Sequence, residues 1–406
     1  MTLRPHEPLA GIACRRLFTP DTVLDDVLIT FEKDGSIGVM GEFASHQMPP
    51  NVFDARRADV KVVPGLIDVH IHGGGGADFR ELDEASLLRI SENAARGGAS
   101  SIIATLTLPR DEAGFERLSD FVRLLRTTDP PGARVLGIFL EGPFINPRKH
   151  GAFGPDYIWP VDLARAERLL SLCGDLLLKI TVAPEIDGGT RLIELFHENP
   201  NTHVEVSLGH SVVDYDTARR LFRMERVRQV THAFNAMDSF HHRAPGLIGA
   251  ALLDDRVLCE MIPDGFHLVG PTIELLYRMK GRDRLMIVTD GAAATGTKPG
   301  TRIMGLSGWT EVRDGAVRLP DGTLAGSNLL MASAVRSACE LGHVPFQDAL
   351  RMATVTPALS VHWEDRVASI EPRKRADFCV LDGHGEVLAT IRDGRAVYVA
   401  SAARES

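Results

Sequence analysis

Residues 66–72, Leu-Ile-Asp-Val-His-Ile-His, form a short apolar run that ends in two histidines and leads straight into four glycines, HGGGGAD over 72–78. A run of this length, rich in β-branched residues and stopped by glycine, reads as a buried strand rather than a helix. Seven further runs of the same kind follow: SIIATLT (101–107), RVLGIFLE (134–141), LLKITVA (177–183), HVEVSLG (203–209), QVTHA (229–233), LCEMI (258–262) and RLMIVTD (284–290). Helical patterns such as EASLLRISENAARGG and EAGFERLSDFVRLLRT lie between them. Strands alternating with helices imply βα units and a parallel sheet, and eight of them between residues 66 and 290 match a (β/α)8 barrel. An open doubly wound sheet is the alternative, but no GxGxxG follows the first strand.

The two ends of the chain read differently. Residues 8–63 are β-rich, with a hairpin signal at Asp34-Gly35, and the segment from 366 onward carries three short β runs separated by turn residues. The expectation is an α/β chain with a small β-sandwich domain built from residues 1–63 and 366–406, and a barrel over 64–365.

Composition excludes several classes of function. The 406 residues carry a formal net charge of −9 and no long basic stripe, which argues against nucleic acid as a partner. An anionic ligand would need local positive charge from Arg, His, a metal or helix N-termini. No apolar run reaches membrane-spanning length, so no membrane association is expected. The five cysteines are scattered and form no CxxC pair, and the first residues lack the apolar core of a signal peptide. A cytoplasmic location is expected.

The metal-capable side chains fall at the strand ends. His70 and His72 close the first run, Glu141 the third, His210 follows the fifth, His232 lies near the end of the sixth, and Asp290 closes the eighth. In a barrel these C-terminal ends converge on one face, where active sites form. His70 and His72, two apart on a strand, point to the same side. Imidazole and carboxylate together suit a divalent zinc, iron, manganese or cobalt. One His at a strand end is ordinary polar packing; four His and two acids on one rim are not. The glycines at 73–76 read as an active-site turn, and HHRAPG (241–246) as a loop whose arginine could hold phosphate.

With these motifs in order, PGLIDVHIHGGGGAD, LEGPFINPRKHGA, LGHS, THAFNAM, HHRAPGLIGAAL, DGFHL, IVTDG and LAGSNLLM, the chain resembles the N-acetylglucosamine-6-phosphate deacetylases of the amidohydrolase superfamily. The resemblance implies that Glu141, His210 and His232 hold the principal metal and that His70 and His72 help hold a second, giving one or two ions per subunit. It implies Asp290 as the catalytic acid/base, with metal-bound hydroxide as nucleophile on the acetyl carbonyl. It further implies substrate contacts from Ala152, Asn235, Ala236, His242, Arg243 and His267, a flap over Leu324, Ala325, Gly326 and Ser327, and a homodimer in which the Arg243 loop reaches the neighbouring subunit's amino sugar phosphate. Many members read Gly-Ala-His where this chain reads Gly151-Ala152-Phe153. That difference keeps the galactosamine epimer open as a substrate. A cyclic-amide hydrolase and a non-catalytic sugar-phosphate-binding protein are the other readings.

Overall fold

The computed structural model describes residues 5–43, 50–199, 203–306 and 308–401. Eight parallel strands pair in chain order: β1 Leu66–Ile71, β2 Ala99–Leu106, β3 Arg134–Leu140, β4 Leu177–Val182, β5 Glu205–Leu208, β6 Gln229–Val230, β7 Leu258–Met261 and β8 Leu285–Ile287. Each overlaps one of the eight runs read from the sequence. The fold is therefore a (β/α)8 barrel.

The seam between β8 and β1 has no regular ladder. A single bridge joins Ile71 to Gly291, and the Asp290 N–H donates to the His70 carbonyl at 2.9 Å. Beneath it the buried Asp68 acts as a staple. Its Oδ2 accepts the Thr289 hydroxyl at 2.5 Å, and its Oδ1 accepts the backbone N–H groups of His70 at 3.2 Å and Thr289 at 3.3 Å. Burial raises the Asp68 carboxyl to about 6 despite these donors.

Helices between successive strands cover the outside. Four begin with an aspartate whose side chain accepts a backbone N–H of the first turn: Asp83, Asp111, Asp162 and Asp214. In Glu84–Arg96 the buried Leu87, Ile90 and Ala94 recur at helical spacing and face the strands. The end of the barrel opposite the metal-capable residues is plugged by the segment around the helix Val355–Leu359. There the Ile67 N–H bonds the Ala353 carbonyl, and Gln229 bonds the Ser360 carbonyl at 2.7 Å. Glu205, which the sequence left unassigned, sits at this end and meets His362 at 3.0 Å.

The chain termini come together in a second sheet of eight strands. Lys61–Pro64 pairs antiparallel with Phe378–Leu381, so the N-terminal strands and the C-terminal run through Arg395–Val399 form one sheet. Gly11–Phe18 pairs along its first half with Val52–Ala55 and at its end with Lys61–Pro64, which lets the sheet fold over its own core of Ile12, Leu17, Ile29, Val62, Phe378 and Ile391. The turn at Asp34-Gly35 connects Val23–Phe31 to Ile37–Glu42, with Gly35 at φ +81.

One element was not foreseen. A four-stranded antiparallel sheet, Arg302–Gly305, Gly308–Arg313, Ala316–Arg318 and Leu324–Ser327, follows β8 before the helix Met331–Gly342. Only its last strand was expected, as a flap. The turns at Asp314-Gly315 and Asp321-Gly322 carried the hairpin signal for the rest.

Arg134, at the start of β3, ties the barrel to the terminal sheet through Asp377 at 2.8 Å and Asp393 at 2.8 Å. Asp377 is almost fully buried. Asp377→Ala removes one of the two carboxylates that meet the Arg134 guanidinium and leaves Asp393 as its partner, so a cost of about 1–3 kcal/mol is expected. A clear fall in the urea midpoint checks this; an unchanged midpoint would show that the link contributes nothing.

Candidate metal centre

Three of the metal-capable residues sit where the backbone turns out of a strand through the left-handed region: His210 at φ 48, His232 at φ 28 and Asp290 at φ 47. Such a conformation costs a non-glycine residue about 1–3 kcal/mol and persists only where the surroundings impose it. Its effect is to swing each side chain from the strand end over the barrel mouth. The loops behind them are held by Glu185. Its Oε1 accepts Asn146 Nδ2 and the Val212 N–H, both at 2.7 Å, and its Oε2 accepts the Ser211 hydroxyl at 2.7 Å.

Glu141 lies at the centre. Its Oε1 is 2.9 Å from His232 Nε2 and 3.2 Å from His210 Nε2, and those two nitrogens are 3.0 Å apart. Its Oε2 is 2.8 Å from His72 Nε2. His70 Nε2 lies 3.3 Å from His72 Nε2, 3.2 Å from Asp290 Oδ1 and 3.5 Å from Glu141 Oε1. One carboxylate thus faces two imidazole pairs. Two ligand groups result, Glu141–His210–His232 and His70–His72–Glu141–Asp290, each with its ligand atoms within 4.8 Å of one another.

The electrostatics suit a divalent ion. Burial lowers the pKa of His70, but the carboxylates of Glu260, Glu141 and Asp290 outweigh it and hold the ring well above its ordinary value. His72 and His232 are raised against the same burial, chiefly by Glu141. Burial pushes Glu141 and Asp290 up, and the neighbouring imidazoles bring both well below the carboxylate range. Protons on the rings and a metal cation are alternative ways of meeting this buried negative charge. Donor type, number and convergence all fit the metal.

The supporting contacts set which nitrogen faces inward. His210 Nδ1 bonds the Lys149 carbonyl at 2.7 Å and His70 Nδ1 bonds Glu260 Oε2 at 2.8 Å, leaving both Nε2 atoms toward the cluster. His267 Nδ1 bonds Asp264 Oδ2 at 2.6 Å. Asp264 and Glu260 were not singled out in the sequence. Glu260 had a signal, an acid inside the apolar run LCEMI, matched by Lys179 inside LLKITVA. The two form a fully buried ion pair.

The cluster forms the floor of a cavity of about 270 Å3. Of the residues that the resemblance implied as substrate contacts or flap, Ala152, Asn235, Ala236, His267, Leu324, Ala325 and Gly326 line it. Ser327 does not line it. It is buried behind the wall, where its N–H donates to the Asp290 carbonyl at 3.0 Å and its hydroxyl to the Thr289 carbonyl at 2.5 Å. Gly326 packs so closely that a Cβ would stand 2.8 Å from the Asp290 carbonyl oxygen. Residues 326 and 327 therefore pack directly against the backbone of Asp290. The glycine run closes a tight hairpin, with Gly75 and Gly76 at positive φ, and brings Asp78 to the cavity wall. Phe153 lines the cavity and sets its ring against His210 at 5.1 Å. His242 and Arg243 do not line it; they lie exposed on the loop after β6, with Arg243 Nη1 2.8 Å from His242 Nε2. No Lys or Arg is among the described residues that line the cavity.

Residues 61–397 match the model of the amidohydrolase family. The chain belongs to that family. It is 33% identical to an N-acetylglucosamine-6-phosphate deacetylase of Bacillus subtilis, over 85% of this chain and 87% of that one. It is 32% identical to an N-acetylgalactosamine-6-phosphate deacetylase of Escherichia coli O157:H7, over 91% of this chain and 94% of that one. Among solved structures, the N-acetylglucosamine-6-phosphate deacetylase of Pasteurella multocida superposes with a TM-score of 0.86 at 26% identity, covering 96% of this chain and all of that one.

In this amidohydrolase Glu141 is the one ligand common to both groups. Glu141→Ala is expected to abolish metal retention at both, measured as metal per chain after dialysis, with the fold intact by circular dichroism. Full metal content in that variant would remove Glu141 from the centre.

Proposed function

We propose that this chain hydrolyses the N-acetyl group of N-acetylglucosamine 6-phosphate, releasing glucosamine 6-phosphate and acetate. The observation that carries the reading is the placement of Asp290 against the Glu141–histidine cluster on the floor of a single cavity. The likeness to deacetylases over nearly the whole chain supports the substrate class.

Glu141, His210 and His232 would hold the principal ion, and His70 and His72, sharing Glu141, a second. Zinc suits these donors best, with iron, manganese or cobalt as alternatives. The ion supplies Lewis acidity and lowers the pKa of a bound water. Asp290, ionised within the cluster, accepts the proton of the attacking water and delivers it to the nitrogen as the C–N bond breaks. His267, fixed by Asp264, presents Nε2 to the cavity as the contact for the sugar and the reacting acetyl group. The flap Leu324–Ser327 and the ring of Phe153 limit water around that bond.

A phosphate needs positive charge that this cavity's own described side chains do not provide. Arg243 and His242, exposed and already in contact, are suited to reach the cavity of a neighbouring subunit, which makes the working unit a homodimer. The five cysteines are free, and no helix of the described residues is long and apolar enough to cross a membrane. A cytoplasmic enzyme is consistent with both. We also assign the described residues within 1–63 and 366–406 to the sandwich domain and those within 64–365 to the barrel, on the pairing of Lys61–Pro64 with Phe378–Leu381; residues 1–4, 44–49, 200–202, 307 and 402–406 of those bounds lie outside the described residues. A carboxylated lysine, as cyclic-amide hydrolases use, has no candidate on β4, because Lys179 is committed to Glu260. The galactosamine epimer is the second reading, favoured by Phe153 and by the likeness to the Escherichia coli enzyme.

Metal-loaded protein given N-acetylglucosamine 6-phosphate should release free amine, with the galactosamine epimer and the unphosphorylated sugar turned over far more slowly. Faster turnover of the epimer would establish the second reading, and no turnover of any would end both. Asp290→Asn should keep its metal and lose about 10²–10⁴-fold in kcat; near-normal turnover would remove Asp290 from proton transfer. Arg243→Ala should raise KM for the phosphorylated sugar with little change in kcat. An unchanged KM would end the phosphate role.

A further inference from the structure

The interior of the barrel holds a charge pair that the proposed reaction does not use. Lys179 on β4 and Glu260 on β7 are both fully buried, on strands that are not neighbours in the sheet. The Lys179 ammonium meets Glu260 Oε1 and lies 4.4 Å from the centre of the Phe139 ring. The other oxygen, Oε2, accepts from two places at once: His70 Nδ1 at 2.8 Å and the backbone N–H of His232 at 3.0 Å.

We infer that Glu260, anchored by Lys179, is the positioning residue of the metal centre: a single buried carboxylate that orients the His70 ring and the His232 backbone together. The inference rests on the metal centre described above and not on the identity of the sugar. Three features carry it. Isolated, either charge would be too costly to bury, so each requires the other. A carboxylate has two oxygens, and with Oε1 bound to the ammonium, Oε2 remains for the groups above it. His70 and His232 belong to different ligand groups, so one displacement of Glu260 would disturb both.

The bond to His70 selects a tautomer. With Nδ1–H donated to Glu260, the lone pair of Nε2 faces Glu141, His72 and Asp290. The bond to His232 acts on the main chain, at a residue whose φ of 28 needs outside support. Lys179 thus acts through Glu260 and touches no ligand itself.

Two double variants separate positioning from simple packing, and neither leaves a lone buried charge. Lys179→Met with Glu260→Gln keeps an acceptor oxygen for His70; Lys179→Met with Glu260→Leu removes it. Each protein is titrated with Co²⁺, following the visible absorption and the metal bound per chain, with circular dichroism as the check on folding. The leucine pair should bind about 10–100-fold more weakly and show an altered spectrum, while the glutamine pair stays close to wild type. Equal affinities and spectra in the two folded pairs would overturn the inference. Wild-type protein labelled with 15N-histidine and loaded with Zn²⁺ provides a readout that needs no variant. His70 should show a protonated, hydrogen-bonded Nδ1 and a metal-bound Nε2, and the reverse tautomer would overturn the inference equally. Wild-type protein that takes up neither metal would instead defeat the metal-centre reading.

Discussion

Closure of the barrel between β8 and β1 is the constraint on which the site depends. The two strands share no ladder; they meet through the Ile71–Gly291 bridge, the bond from the Asp290 N–H to the His70 carbonyl, and the Asp68 staple. The same few residues therefore close the fold and set Asp290 beside the histidine pair. A sheet left open at this seam would still have eight strands, but residues 70 and 290 would lie on opposite edges. The strand Leu324–Ser327 is tied to the seam as well, through Ser327 and the close approach of Gly326 to Asp290.

A second constraint concerns charge in a buried place. Glu141, Glu260 and Asp290 bring three carboxylates together under very little solvent. Their cost is met by imidazoles and by the Lys179 ammonium, and a metal ion held by the candidate cluster would offset it further. Both oxygens of Glu141 and of Glu260 and the Oδ1 of Asp290 have defined partners, so the polar interior is a connected network rather than a set of separate contacts. The left-handed backbone at His210, His232 and Asp290 is tolerable because these contacts over-determine it.

Much of this was legible in the linear chain. The eight apolar runs with helical stretches between them specified the barrel, because strand and helix differ in hydrophobic period and each element must bury one face. The rule that strand ends converge placed His70, His72, Glu141, His210, His232 and Asp290 on one rim. The Asp34-Gly35 hairpin and the three C-terminal runs were equally plain, since turn residues mark them locally. The roles of Glu260 and Lys179 were not legible because each acts through a partner distant in sequence, and an isolated charge inside an apolar run does not name that partner; Asp264 acts through His267, only three residues on, without a motif of its own.

What the sequence determined by itself was the element order and the metal-capable rim, which follow from local pattern and spacing, together with a family likeness carried by its motifs. The tertiary structure alone decided the rest. It set Glu141 Oε1 against His210 and His232 and Oε2 against His72, buried Ser327 behind the wall while Gly326 formed it, and left Arg243 outside the cavity. Those outcomes depend on distances between side chains from separate strands, and such distances exist only once the barrel has closed.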